Sequence, residues 1–203
     1  MLVALSAWLV TASQMGEMHD HPMGLVAYLV SWVPMSTAMM LPSTLPATAL
    51  VARLGAGRLR TSAFVSGYLS IWVALGVVAF GIAWPLEAVD DRALAGAAIG
   101  LAALYQLTRL KGRCLERCRS PLAIFRGWRD GPLGSARMGA VHGIDCAGCC
   151  AGLMLALIAI GASSLVWMAV FAAAIVTEKA LLGARATVPL AGALFALAVL
   201  TIV

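Results

Sequence analysis

Five cysteines, ten methionines and three histidines are clustered along this 203-residue chain, and their spacing is what suggests chemistry. The densest run is His142-Gly-Ile-Asp145-Cys146-Ala-Gly-Cys149-Cys150. On a helix turning about 100° per residue, His142, Cys146 and Cys149 fall within about 60° of one another. Asp145 and Cys150 flank that stripe, and Met138 lies a turn earlier. Thiolate and imidazole at i, i+4 and i+7 can converge on one ion, and soft sulfur ligands select Cu(I), Zn or iron–sulfur clusters. A competing reading is a helix-packing face of small residues. Gly139, Gly143, Gly148 and Gly152 line the same helix, and cysteine is small enough to join them.

Three further groups extend the soft-ligand theme. Trp32-Val-Pro-Met35-Ser36-Thr-Ala-Met39-Met40-Leu-Pro-Ser43 brings the thioethers of Met35, Met39 and Met40 to a depth matching Cys146. Neutral thioethers suit Cu(I), although methionine also fills cores. Met15-Gly-Glu17-Met18-His19-Asp20-His21-Pro-Met23 offers thioethers, imidazoles and carboxylates that suit capture of copper where free thiols oxidise; a polar turn is the alternative. Cys114 and Cys118 lie four apart among Arg113, Arg117 and Arg119, which favour thiolate. If helical, they share a face and form a secondary metal or exchange point, or a redox pair. Glu178-Lys179 ends an apolar segment. Adjacent residues do not face one way on a helix, so Glu178 is expected to point inward, supporting the site beside Asp145 or pairing with an arginine. Lys179 is expected to snorkel.

The elements that position these groups must lie in a membrane. The chain is 62% hydrophobic and 11% charged, against about 25% charged in soluble domains. One integral membrane domain over residues 1–203 is expected, an all-α bundle of six or seven spans at about 20 residues each. The apolar segments run roughly 2–12, 25–51, 62–85, 93–110, 138–160, 164–183 and 187–203. The first is too short to cross alone. Pro34, Pro42 and Pro46 should kink the second, and such broken backbone needs protein or a wet cavity to cover it. Thirteen of the fourteen Lys and Arg fall at one set of ends, the 53–60, 109–137 and 179–185 connections, with Arg92 alone opposite. This asymmetry makes those connections cytoplasmic, with the N-terminus inside and the C-terminus outside. The net charge of +5 therefore reports topology rather than nucleic-acid binding.

Together, Trp32-x2-Met35-x3-Met39-Met40-Leu-Pro-Ser43, Tyr105-Gln106, Lys111-x2-Cys114-x3-Cys118-Arg-Ser-Pro121, Gly139-x2-His142-Gly-x2-Cys146-x-Gly-Cys149-Cys150, Trp167-Met168 and Glu178-Lys179 resemble a bacterial family of unknown function, numbered 2182. Its members are described as predicted metal-binding integral membrane proteins. The resemblance runs from about residue 28 to 182 and implies metal binding, with no activity attached. Ala151 departs from it, standing where an aromatic is expected. The leading expectation is a copper-handling protein of the bacterial inner membrane, serving transport or delivery to a membrane partner or metallochaperone. Zinc or another soft metal is the alternative. A membrane thiol–disulfide oxidoreductase and a structural subunit are the alternatives, and no catalytic residue is assigned.

Overall fold

Long apolar runs have no stable form in lipid other than a hydrogen-bonded helix or a closed barrel. In the computed structural model, which describes residues 2–14, 24–88, 92–120, 123, 129–160 and 164–203, the chain forms helices and no strand. The Met/His run at 15–23 lies outside the described residues. The α-helices are α1 (Leu2–Gln14), α2 (Leu25–Met40), α3 (Leu45–Val51), α4 (Gly57–Ala88), α5 (Arg92–Gln106), α6 (Arg109–Arg119), α7 (Gly131–Ile160), α8 (Leu165–Val176) and α9 (Thr187–Ile202).

Gly57–Ile82, Gly131–Ile160 and the run Leu165–Ile202 are each long and apolar enough to cross a bilayer. Two bent pairs raise the number of candidate spans to five: Leu25–Met40 with Pro42–Leu54, bent by 43°, and Arg92–Gln106 with Arg109–Arg119, bent by 64°. The sequence shows six or seven apolar segments, and two features account for the difference. Helix α1 has 13 residues and reaches only about 20 Å. The last run contains two of the segments, and it reverses at Gly183, whose φ of 58° suits glycine. Trp167 and Phe171 of α8 and Leu194 and Leu200 of α9 consequently line one apolar cavity.

The expected kink of the second span is present at Pro42, whereas Pro34 sits inside α2 without ending it. Its α-helix ends at Met40, and a 3₁₀ turn, Pro42–Thr44, begins at the proline that cannot donate to the preceding turn. The first part of the 109–137 connection, Arg109–Arg119, is a helix. The Thr108 hydroxyl accepts the Lys111 backbone N–H at 3.3 Å and caps α6. Helix α6 then lies along α7, burying Lys111 and Leu115.

Helix α7 is the hub, packed by α4, α5 and α6. Its glycines make this possible. A Cβ on Gly139 would collide with the Phe64 carbonyl oxygen of α4, and one on Gly67 with the Ala136 carbonyl of α7, so the two backbones meet with nothing between them. The small-residue packing face is therefore real, and it coexists with the cysteine stripe on the same helix.

Candidate metal centre

Cys146, in the middle of α7, is fully buried, and its surroundings come from three other elements. The Tyr68 hydroxyl of α4 lies 3.0 Å from its Sγ. Lys179 donates to the same sulfur at 2.7 Å and reaches Ser43 Oγ at 3.3 Å. Cys149 donates to the Cys146 carbonyl at 3.1 Å, and its Sγ stands 3.7 Å from that of Cys150. Cys118 of α6, partly buried, packs against the apolar cluster that holds Cys146, Cys149 and Cys150. The three buried sulfurs of α7 and the partly buried Cys118 of α6 thus belong to one core cluster, and every cysteine is a free thiol.

Cys118 lies nearer the centre than expected. The sequence pairs Cys114 and Cys118 as a separate exchange point, whereas α6 divides them. Cys118 joins the deep group, while Cys114 rests over Gly148, partly buried, one turn away. The bend between α5 and α6 turns the basic helix inward and brings Cys118 within reach.

Lys179 does not snorkel. The turn Thr177–Leu182 is π-helical, and both Glu178 and Lys179 are buried in it. The wide turn and long stems carry the two heads to different partners: Glu178 to Lys111 of α6 in a buried ion pair, with Thr187 beside it at 3.4 Å, and Lys179 to Cys146. Glu178 therefore pairs with a lysine of the basic segment rather than an arginine. Single π-turns inside helices often mark functional positions, but a terminal Lys in an apolar sequence reads as a surface anchor, so this one left no sequence signal. Tyr68 gave none either, being one aromatic in a span of apolar residues.

His142 is 6% exposed, and its Nε2 has no hydrogen-bond partner. Its ring lies 6.0 Å from those of both Phe64 and Tyr68. Asp145 sits at the edge of the stripe, 3.8 Å from Arg117. Met35, Met39 and Met40 are buried in the same apolar cluster as the cysteines. However, α2 packs mainly on α1 and α4 rather than on α7. The Tyr68 hydroxyl stands between the Met40 carbonyl, at 3.5 Å, and Cys146. The methionines form the wall behind Tyr68, further from the thiols than matched depth suggests. Met138 belongs to a neighbouring cluster with Phe64 and Val51.

Among the described residues, no three His, Cys, Asp or Glu side chains are set out as a ready ligand shell. The thiols are held by one another, by a carbonyl and by Lys179. An ion about 2.3 Å from each sulfur would have to replace those hydrogen bonds.

A family model described as PpoB2, copper chaperone, matches residues 29–202. No curated protein and no solved structure matches the chain.

Proposed function

The chain belongs to the PpoB2 copper-chaperone family, and from that premise we propose that it holds Cu(I) on the thiols of Cys118, Cys146, Cys149 and Cys150 and passes it to a protein partner at the membrane. In this reading the numbered family that its motifs resemble is the same family. The protein is a multi-pass protein of the bacterial inner membrane, with its basic end in the cytoplasm and its C-terminus outside. The observation that carries the reading is the gathering of three buried free thiols of α7, with the partly buried Cys118 of α6 packed against their cluster, beside a buried cation, Lys179. Soft, desolvated sulfur favours Cu(I) over harder ions, and an ammonium 2.7 Å from Cys146 Sγ offsets the negative charge of a copper–thiolate group. His142 and the Met35, Met39 and Met40 wall are reserve ligands that lie one side chain away. Cys114 and the Met15, Met18, His19, His21 and Met23 run serve exchange and capture, and Asp145 and Glu178 support the arrangement. Delivery is favoured over channel-like transport because the thiols sit in a packed core. Burial equally disfavours thiol–disulfide cycling, which needs a partner thiol to reach the sulfur.

Competition of detergent-purified protein against a Cu(I) chelator tests the site. The parent should hold Cu(I) more tightly than Zn(II). The Cys146→Ser/Cys149→Ser double variant should lose at least about a hundredfold in Cu(I) affinity, about 3 kcal/mol. Cys118→Ser should also weaken binding, unlike Cys114→Ser. A double variant that binds copper like its parent would leave the cysteine stripe as packing alone.

A further inference from the structure

A cavity of about 190 Å³ opens beside the thiol group and is lined by Arg117, Arg129, Arg137, Met138, His142 and Asp145, with Ala123 and Val141. Its charge runs against a cation. Arg117 comes from α6, Arg129 from the segment before α7, and Arg137 from α7 itself. The single carboxylate among the described lining residues, Asp145, is already faced by Arg117 at 3.8 Å. At the inner wall stands His142, nine-tenths buried, with Nε2 unpartnered. Behind it the Tyr68 ring leads to Cys146 Sγ. A polar opening thus reaches Cys146 through two side chains, His142 and Tyr68, yet three guanidiniums repel a bare metal ion. The same guanidiniums match carboxylates, which they bind in bidentate fashion.

Building on the copper reading, we propose that this vestibule receives copper as an anionic complex with a small carboxylate-bearing thiol. The arginines hold the carboxylates while the metal faces His142 and the cysteines. Transfer is then ligand exchange at constant oxidation state. A carrier sulfur–Cu(I) bond breaks as a cysteine sulfur–Cu(I) bond forms, and the proton leaving the cysteine thiol goes to the departing carrier thiolate. The arginines play no part in holding copper once it has moved.

The test compares two copper donors on the purified full chain: the Cu(I) complex of glutathione, a thiol with two carboxylates, and the Cu(I) complex of acetonitrile, which bears no anionic group. Steering by surface charge changes association rates by about tenfold to a thousandfold. The Arg129→Gln/Arg137→Gln variant should therefore load from the glutathione complex at least about tenfold more slowly, and that difference should shrink as salt is raised. Loading from the acetonitrile complex should be as fast as in the parent or faster, to the same final copper content. Equal slowing with both donors, or no change with either, overturns the vestibule and leaves copper binding intact. A parent that takes copper from neither donor removes the copper reading, and this inference with it.

Discussion

Lys179 has the most consequential contact in the molecule at the scale of single residues. A buried ammonium is costly unless it is paired, and its partners are Cys146 Sγ and Ser43 Oγ. Two roles are open to it: a blocker that occupies the metal's place, or a counter-charge that stays when the metal arrives. Electrostatics decides for the second. Cu(I) on two thiolates carries a net charge of −1, and stranding a buried charge costs about 3–5 kcal/mol. Lys179→Met keeps the stem volume and removes the charge, so it should lower Cu(I) affinity by at least about a hundredfold in chelator competition. Unchanged or tighter binding would make the lysine a blocker. The cysteine stripe was legible in the sequence because His142, Cys146 and Cys149 share a helix face at fixed spacing. Lys179 was not, because a lysine after an apolar run looks the same whether the helix ends in a snorkelling turn or a π-turn.

Among the elements, α6 decides whether the site is complete. It delivers Cys118 only because it bends inward from α5, and Lys111 pins it there through the ion pair with Glu178 of the π-turn. Both side chains are essentially unexposed, so breaking the pair leaves a buried charge, whereas replacing both partners removes the problem. Glu178→Leu alone should cut stability by about 3–5 kcal/mol. The Lys111→Met/Glu178→Leu double variant should recover most of that loss in thermal unfolding. Strict additivity of the two single changes would show that the pair does not pin α6. The proline break of the second span was legible from Pro42, since a residue without an N–H cannot continue the ladder. The inward course of α6 was not legible. A run with Arg109, Arg113, Arg117 and Arg119 reads as a solvated loop, and only the tertiary fold shows that Lys111 and Leu115 turn away from water.

For the whole molecule, the basic residues that are scattered in sequence gather at one end of the bundle. Arg60 at the start of α4 lies 3.5 Å from Asp130 at the start of α7. Arg119 of α6 packs against Gly183 in the α8–α9 turn, and Lys111 meets Glu178 there. At the far end, Gly96 of α5, one turn after Arg92, sits against Ala198 and Ile202 of α9. The charge asymmetry in the sequence therefore corresponds to two ends of the helix bundle, and the basic end was readable from Lys and Arg alone. The convergence of helices on Cys146 depended on backbone contacts, such as Gly139 against Phe64, that composition does not encode. Positive charge is retained on the cytoplasmic side during insertion, so the end bearing Arg60, Arg119, Arg129 and Arg137 should face the cytoplasm. Single cysteines introduced at Ser13, Ala93 and Asp130 in a background with the native cysteines changed to serine test this in intact cells and in inverted vesicles. An impermeant thiol reagent should modify positions 13 and 93 from outside, and position 130 only in inverted vesicles. Modification of position 130 in intact cells would reverse the molecule. The arginine-lined vestibule would then open to the outer face, and copper would have to enter there rather than from the cytosol.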